Sequence, residues 1–347
     1  SNTTGSNNVA LGRSALQANT TATYNTAVGY QAMYSNTTAQ YNTAIGGAAM
    51  QYNTTGAENA ALGTGALNAN TSGSYNVAVG RSALVANTTA SNNTAVGYKS
   101  SYSSTTGTGN VTVGHFSGYS LTTGTNNTFI GYLSGDDATT GSGNTAVGVT
   151  AMSGAAITGN YNTAVGQSAG LGLTSGSTNL TLGTDSGRAI TTGSNNVVVG
   201  SYTGNSGGLD IRTASNNIVL SDGSGNIRVH VDSSGRVITK GSPYVNHISH
   251  SGSGTITLDT AAYGSFIVAP SGNITLAFSN ALHAYGSGFI LKISPSATVT
   301  ITYPTSVDWA GGTAPDAPAN GEHDYYVFIS YDGGTNWFGF QAGDAMA

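Results

Sequence analysis

The chain has 347 residues, of which 51 are Gly, none is Cys and only 7% are charged, against a usual charged share of ~25%. Nine basic and fourteen acidic side chains leave a net charge of −5, which gives no basic surface to hold nucleic acid or anionic lipid. Without Cys there is no disulfide framework or thiolate metal site, no apolar run of about 18 residues marks a membrane helix, and no signal peptide opens the chain.

At about 100–200 residues per domain, this length suggests two or three globular units. Internal repetition decides the first part differently. The pattern Asn-x-Ala-aliphatic-Gly, written out as Asn25-Thr26-Ala27-Val28-Gly29, recurs twelve times from Asn8 to Asn196, at steps of 17 with one step of 18 between Asn144 and Asn162. A fixed period of this size is the signature of a solenoid. Low charge with few large apolar residues would also suit a disordered tract, but disorder has no reason to keep Asn, Ala and Gly in register. The array covers residues 1–204.

The position three after Asn is always aliphatic, from Leu11, Val28 and Ile45 to Val199. With the position one after Asn it shares a strand face by the period-2 rule, so each copy is expected to supply one short strand with this face turned into a narrow core. A 17-residue copy is too short for a strand–helix–strand unit, and its Gly and Asn disfavour helix. One β-solenoid turn per copy remains. At ~4.8 Å per stacked strand, twelve turns make a rod on the order of 55–60 Å long. Gly29 and its equivalents suit a corner with φ > 0, and the motif Asn can ladder its amide from turn to turn.

The position two after Asn is mostly Ala (Ala10, Ala27, Ala44, Ala61, Ala78, Ala95, Ala146, Ala164), and a second small residue follows each Gly by three. Read as facing outward, these columns imply close approach of other copies about an axis. The alternative is that they fit a thin single solenoid.

The Asn-x-Ala-[Val/Ile]-Gly-x-x-[Ala/Ser] repeat resembles the head domain of trimeric autotransporter adhesins, which implies a left-handed parallel β-roll in a three-chain bundle. It is also similar to repeats in bacteriophage tail fibres. An adhesin of that kind should continue into a coiled-coil stalk and a membrane β-barrel anchor. Nothing after residue 204 carries heptads or amphipathic barrel strands, which favours the phage fibre. Because Ser1 rather than Met begins the chain, it reads as a fragment or processed product missing an N-terminal attachment part.

Residues 205–242 break the period. Asn217-Ile218-Val219-Leu220 is a last echo of the motif, and Asp222-Gly223-Ser224-Gly225 and Asp232-Ser233-Ser234-Gly235 are turn signals between short alternating strands. This resembles a small β connector of phage fibres. His247 and His250, three apart with no acidic partner, are a weak metal signal, and surface or interface His is the better reading.

Residues 243–347 read as a β-sandwich tip. Strands are expected at Thr255–Leu258, Ser265–Ala269, Asn273–Phe278, Gly288–Ser294, Ala297–Tyr303, Asp324–Tyr331 and Asn336–Phe340, with an Asp332-Gly333 hairpin turn. Both Trp residues, Trp309 and Trp337, lie here. The stretch Val307–Pro315 and the Asp-Gly-Gly-x-x-Trp-Phe-Gly-Phe ending resemble the C-terminal tip of many phage tail-fibre proteins.

Catalytic signals are thin. Asp136 and Asp137 are adjacent in a turn and diverge, the tip carboxylates are scattered, and there is no Gly-x-Ser-x-Gly, phosphate loop or His-x-x-x-His. The tip instead combines aromatic rings with Asp and Asn, a mixture that suits a glycan. Asp308, Trp309, Asp316, His323, Asp324, Tyr326, Asp332 and Trp337 are the candidate receptor contacts, with the Asp308–Pro318 loop as the recognition loop. Half of the tip aromatics must be core, with Tyr325, Val327 and Ile329 on one face of their strand and Tyr326 and Phe328 on the other.

The reading is therefore an all-β, homotrimeric, non-enzymatic virion fibre, extracellular, without cofactor, metal or membrane insertion. Its tip binds a host surface receptor, a polysaccharide or lipopolysaccharide, and its missing N-terminal region meets a tail or baseplate protein. The alternatives are a tailspike depolymerase, a bacterial trimeric adhesin and an ice-binding solenoid, the last suggested by recurring Thr-Thr pairs at the turns.

Overall fold

The computed structural model describes residues 2–239, 247–260, 264–279 and 287–346. No helix occurs among them. Each repeat forms a three-residue strand. These strands are β1 (Val9–Leu11), β2 (Thr26–Val28), β3 (Thr43–Ile45), β4 (Ala60–Leu62), β5 (Val77–Val79), β6 (Thr94–Val96), β7 (Val111–Val113), β8 (Thr128–Ile130), β9 (Thr145–Val147), β10 (Thr163–Val165), β11 (Leu180–Leu182) and β12 (Val197–Val199). All stack parallel and in register, so that Ala27 pairs with Ala10 on one side and Ala44 on the other. The protein is a parallel β-solenoid over this span.

The inward face is the reverse of the one expected. Ala27, Ala44, Ala61 and Ala78 are buried, whereas Leu11 is 67% exposed and Leu62 is 50% exposed. The cause is the thinness of the roll. Met33, Met50, Leu67 and Leu84 come from the opposite wall of the same turns and fill the interior. Only a methyl group fits against them. The trade is visible within the chain, since at Phe129 the ring occupies this inward position and the facing residues shrink to Gly118 and Gly135. A Cβ at Gly135 would lie 2.6 Å from the Phe129 ring. The Ala columns thus fit a thin roll, and the aliphatic column faces out.

The motif Asn residues are buried and joined in one continuous ladder. Each Oδ1 accepts the backbone N–H of the next motif Asn, as in Asn42 N to Asn25 Oδ1 at 2.9 Å. Each Nδ2 donates across the turn, as in Asn25 Nδ2 to Ala39 O at 2.9 Å. A second ladder, absent from the sequence reading, joins Asn19, Asn36, Asn53, Asn70 and Asn87 through Nδ2–Oδ1 bonds of 2.7–3.3 Å. These bonds satisfy polar groups that would otherwise be costly inside the roll. The corner Gly is obligatory: Gly46 has φ +138°, and a Cβ there would sit 2.5 Å from the Gly63 carbonyl oxygen.

The last turn carries a small hairpin, β13 (Asn205–Ser206) with β14 (Leu209–Asp210). Next, β15 (Ile218–Ser221) pairs parallel with β12, and β16 (Ile227–Val231) and β17 (Val237–Thr239) follow antiparallel, closing a fifteen-stranded sheet. The ladder ends here as well. The amide of Asn217 donates to Asn196 Oδ1 and Ser215 O, which leaves its Oδ1 to accept from Nε2 of buried His230 at 3.0 Å. The imidazole stands where the next Asn N–H would be. Residues 205–239 are therefore the end of the solenoid's own sheet, inside a compact unit Ser1–Lys240. The boundary expected between 242 and 243 lies outside the described residues.

The second unit, Gly241–Ala347, holds one mixed seven-stranded sheet. Its strands are β18 (His247–Asp259), β19 (Ser265–Ser279), β20 (Ser287–Ile293), β21 (Ile301–Thr302), β22 (Val307–Trp309), β23 (His323–Ser330) and β24 (Trp337–Met346). β19 pairs β20 through Ser265–Val268 and β21 through Ile274–Thr275, so its two halves have different neighbours. All seven strands contribute to one core, in which Phe266, Phe289, Phe328, Tyr326 and Trp337 are buried. Rings there meet edge-on, as Phe278 does with Phe289 at 5.0 Å. The His247 side chain lies outside the described residues, and among those described no group of three His, Asp or Glu is placed to hold a metal.

Candidate functional site

The pairing of β22 with β24 builds an open cleft in the C-terminal unit. Val307 lies opposite Trp337, Asp308 opposite Phe338 and Trp309 opposite Gly339. Because side chains alternate along a strand, Val307, Trp309 and Trp337 turn toward the core while Asp308 and Phe338 turn out together. Gly339 is required beneath Trp309, since a Cβ there would meet the indole at 2.9 Å. The Asp332 turn stands beside this pair, and together they enclose an open cleft of about 530 Å3 lined by Thr305, Ser306, Asp308, Tyr331, Asp332, Asn336 and Phe338 over the edge of Trp337.

The chemistry of this cleft is mixed. Tyr331 is 63% exposed and Phe338 44% exposed, so both offer ring surface. Asp332 is held by its own turn: Oδ1 accepts from Asn336 N at 2.9 Å and from Ser330 Oγ at 2.9 Å, and Oδ2 accepts from Asn336 Nδ2 at 2.7 Å. Those bonds, the Asn336 backbone N–H foremost, keep its carboxyl below the usual carboxylate range. Asp308 is exposed and makes no hydrogen bond or ion pair among the described residues.

The eight candidate contacts separate. Asp308 and Asp332 border the cleft, and Trp337 forms its floor while its ring is buried and its Nε1 donates to Gly334 O at 3.0 Å. Trp309 is a strand residue rather than part of a loop. Its ring packs edge-on to Tyr303 at 4.8 Å, and its outer side borders a smaller hollow of about 270 Å3 with Thr313, Pro315 and Gln341. Asp324 and Tyr326 are core residues: Tyr326 Oη donates to Asp324 Oδ2 at 2.9 Å, and Gln341 Nε2 donates to the same oxygen at 3.0 Å. Burial raises the Tyr326 hydroxyl far above its ordinary value. Both are buried and neither lines the cleft. Asp316 is exposed and His323 half-buried, and neither lines the cleft.

Tyr331 and Phe338, not among the eight candidates, also line the cleft, and strand alternation from buried Trp337 places Phe338 outside. On the solenoid, a column one residue after the corner Gly is also absent from the sequence reading. There Tyr98, His115 and Tyr132 follow one another with ring centroids 5.1 and 5.5 Å apart. The signal was their common 17-residue spacing.

Fold and cleft define an all-β repeat protein, a parallel solenoid joined in sequence to a sheet-rich C-terminal unit with an open aromatic and polar cleft. The chain matches no family model, no curated protein and no solved structure.

Proposed function

We propose that this chain is a homotrimeric, extracellular fibre of the phage tail-fibre type. Its solenoid is the shaft, and its C-terminal unit adheres to a host-surface glycan. Support for the binding role is the cleft itself, where exposed Phe338 and Tyr331 stand beside the uncommitted carboxylate of Asp308. Sugar rings stack their apolar faces on aromatics while carboxylates and hydroxyls take their OH groups. Three weak sites on one fibre then add by avidity without any single tight contact.

Support for the trimer is the outward sheet face. Leu11, Ile45, Leu62, Ile130, Leu182 and Leu220 are 39–67% exposed in one column, with Val9, Val77 and Ile218 in the parallel column two residues away. Thirteen parallel strands at ~4.8 Å carry the aliphatic column over roughly 60 Å, and the column beside it interleaves aliphatic residues with Thr26, Thr43, Thr94, Thr128, Thr145 and Thr163. A continuous aliphatic column left in solvent offers a face for other copies of the chain to cover.

The test is surface labelling. Fluorescently tagged full chain should decorate susceptible cells in a panel of bacterial strains, and Phe338→Ala should abolish the decoration while leaving the protein's mass unchanged. Equal labelling by the variant would refute the cleft as the site. Incubation with extracted surface polysaccharide should leave its chain length unaltered, and reproducible shortening would replace this reading with a tailspike depolymerase.

A further inference from the structure

The charge of the C-terminal unit narrows the ligand class, on the footing that its cleft binds a glycan. From Gly241 onward the sequence contains seven acidic residues (Asp259, Asp308, Asp316, Glu322, Asp324, Asp332 and Asp344), one Lys and no Arg. The one Lys is placed elsewhere: Lys292 Nζ sits 5.6 Å from the Tyr325 ring centroid, and neither residue lines the cleft. A uronate, sialate or phosphate is ordinarily taken up by Arg or Lys through charge-assisted hydrogen bonds. The cleft has no such group.

What it does have is two carboxylates with different duties. Asp332 spends both oxygens on its turn, to Asn336 and Ser330. Asp308 spends neither among the described residues, and the hydroxyls of Thr305, Ser306 and Tyr331 near it are likewise uncommitted there. An ionised carboxylate only accepts hydrogen bonds, so Asp308 asks its ligand for donors: sugar hydroxyls or an ammonium. An anionic sugar brings like charge to Asp308 and Asp332 and finds no cation to offset it.

We infer that the tip cleft selects uncharged or amine-bearing sugars and rejects acidic ones, with Asp308 as the selecting residue and Phe338 as the stacking platform. The host surface it fits is a neutral or amino-sugar polysaccharide, and a phosphorylated or uronate-rich coat is excluded.

The experiment is calorimetry on the full chain with a defined panel. Neutral members are hexamers of glucose, mannose, galactose and N-acetylglucosamine. The glucosamine hexamer supplies amines, and hyaluronan and polysialic acid oligomers of matched length supply acids. Both Trp residues lie in this unit, so ligand-dependent Trp fluorescence reports binding there rather than on the shaft. At least one neutral or amine-bearing member should bind, and every acidic member should bind at least tenfold more weakly. Asp308→Asn should cost the amine-bearing member at least tenfold and weaken the salt dependence of its binding, Asp332 remaining charged. An acidic member binding as well as the best neutral one overturns the selectivity while leaving the glycan reading intact. Binding of amines unchanged in Asp308→Asn overturns the role of Asp308. No binding by any member overturns the glycan reading itself.

Discussion

The exchange of volume between the two walls of the roll gives a quantitative test of the inward Ala column. In the turn of Ala78, the methyl group is buried against Leu84 and Leu67. In the turn of Phe129, the facing positions are Gly118 and Gly135. Ala78→Phe alone overpacks the roll, at a cost near the upper end of ~1–3 kcal/mol. Leu84→Gly alone opens a cavity worth ~2–5 kcal/mol. Leu84 has φ +50°, so Gly also relieves a left-handed backbone there and returns ~1 kcal/mol. If the sites were independent, the double variant would lose about 6 kcal/mol from these terms together. If they share one space, the ring fills the cavity and the loss is about half that or less. The predicted coupling is therefore ~3 kcal/mol of mutual rescue, at the strong end for residues in contact. Urea unfolding of the parent, both single variants and the double variant, followed by circular dichroism, measures it. Additivity within about 0.5 kcal/mol would show that Ala78 and Leu84 do not face one another and would refute the inward assignment.

Two further outcomes follow from specific bonds. Asn59→Ala removes a side chain that donates to Gly73 O and accepts from Asn76 N, both at 2.9 Å. It strands the buried Asn76 N–H at ~1–3 kcal/mol, while Gly73 O keeps its bond from Asn70 Nδ2 at 2.9 Å, and the melting midpoint should fall accordingly, whereas a change at an exposed turn residue such as Thr55 should not move it. Asp222 caps the β15–β16 turn, and its bonds to Asn226 and Arg228 lower its carboxyl from 3.8 to about 2. A carboxyl with a depressed folded-state value stabilises above its unfolded value and loses that contribution as pH falls. The turn should therefore loosen between about pH 4 and pH 2, seen as faster amide exchange at Ser224 and Asn226. Asp222→Asn should show the loosened state at neutral pH and little further change on acidification.

Much of the fold could be read from spacing alone. Every strand of the array falls where the repeat places it, because an aliphatic residue before the corner Gly and an Asn ladder at the other end fix the same three residues in each turn. Orientation was misread because bulk was equated with burial. In a roll this thin the inside admits Ala27 and Ala44, and the larger Val28 and Ile45 are left outside. The second Asn ladder escaped notice because Asn36 and Asn87 sit in polar stretches that resemble ordinary loops, and only stacking makes them interior. In the C-terminal unit, Pro270-Ser271-Gly272 looks like a turn, yet β19 continues through it as strand with a bulge, where Gly252 and Gly254 of the partner strand pair with Pro270 and Ile274. The cleft was half visible. Asp308 and Asp332, expected as receptor contacts, do border the cleft, whereas Tyr326 and Trp337 are buried and Phe338 is outside. Which ring of an aromatic cluster faces solvent depends on strand pairing across thirty residues, as between Asp308 and Phe338, and local pattern does not contain it.

Assembly through the outward aliphatic columns is the central proposal, and the mass of the full chain in solution tests it most directly. One chain weighs 34.6 kDa. Sedimentation equilibrium should give about three times that for the parent, and Leu62→Asp with Ile45→Asp, which puts charge into the stripe without touching the interior, should return it toward the single-chain value. A parent that sediments as one stable chain of 34.6 kDa at micromolar concentration would contradict the trimer and leave the exposed stripe without a partner.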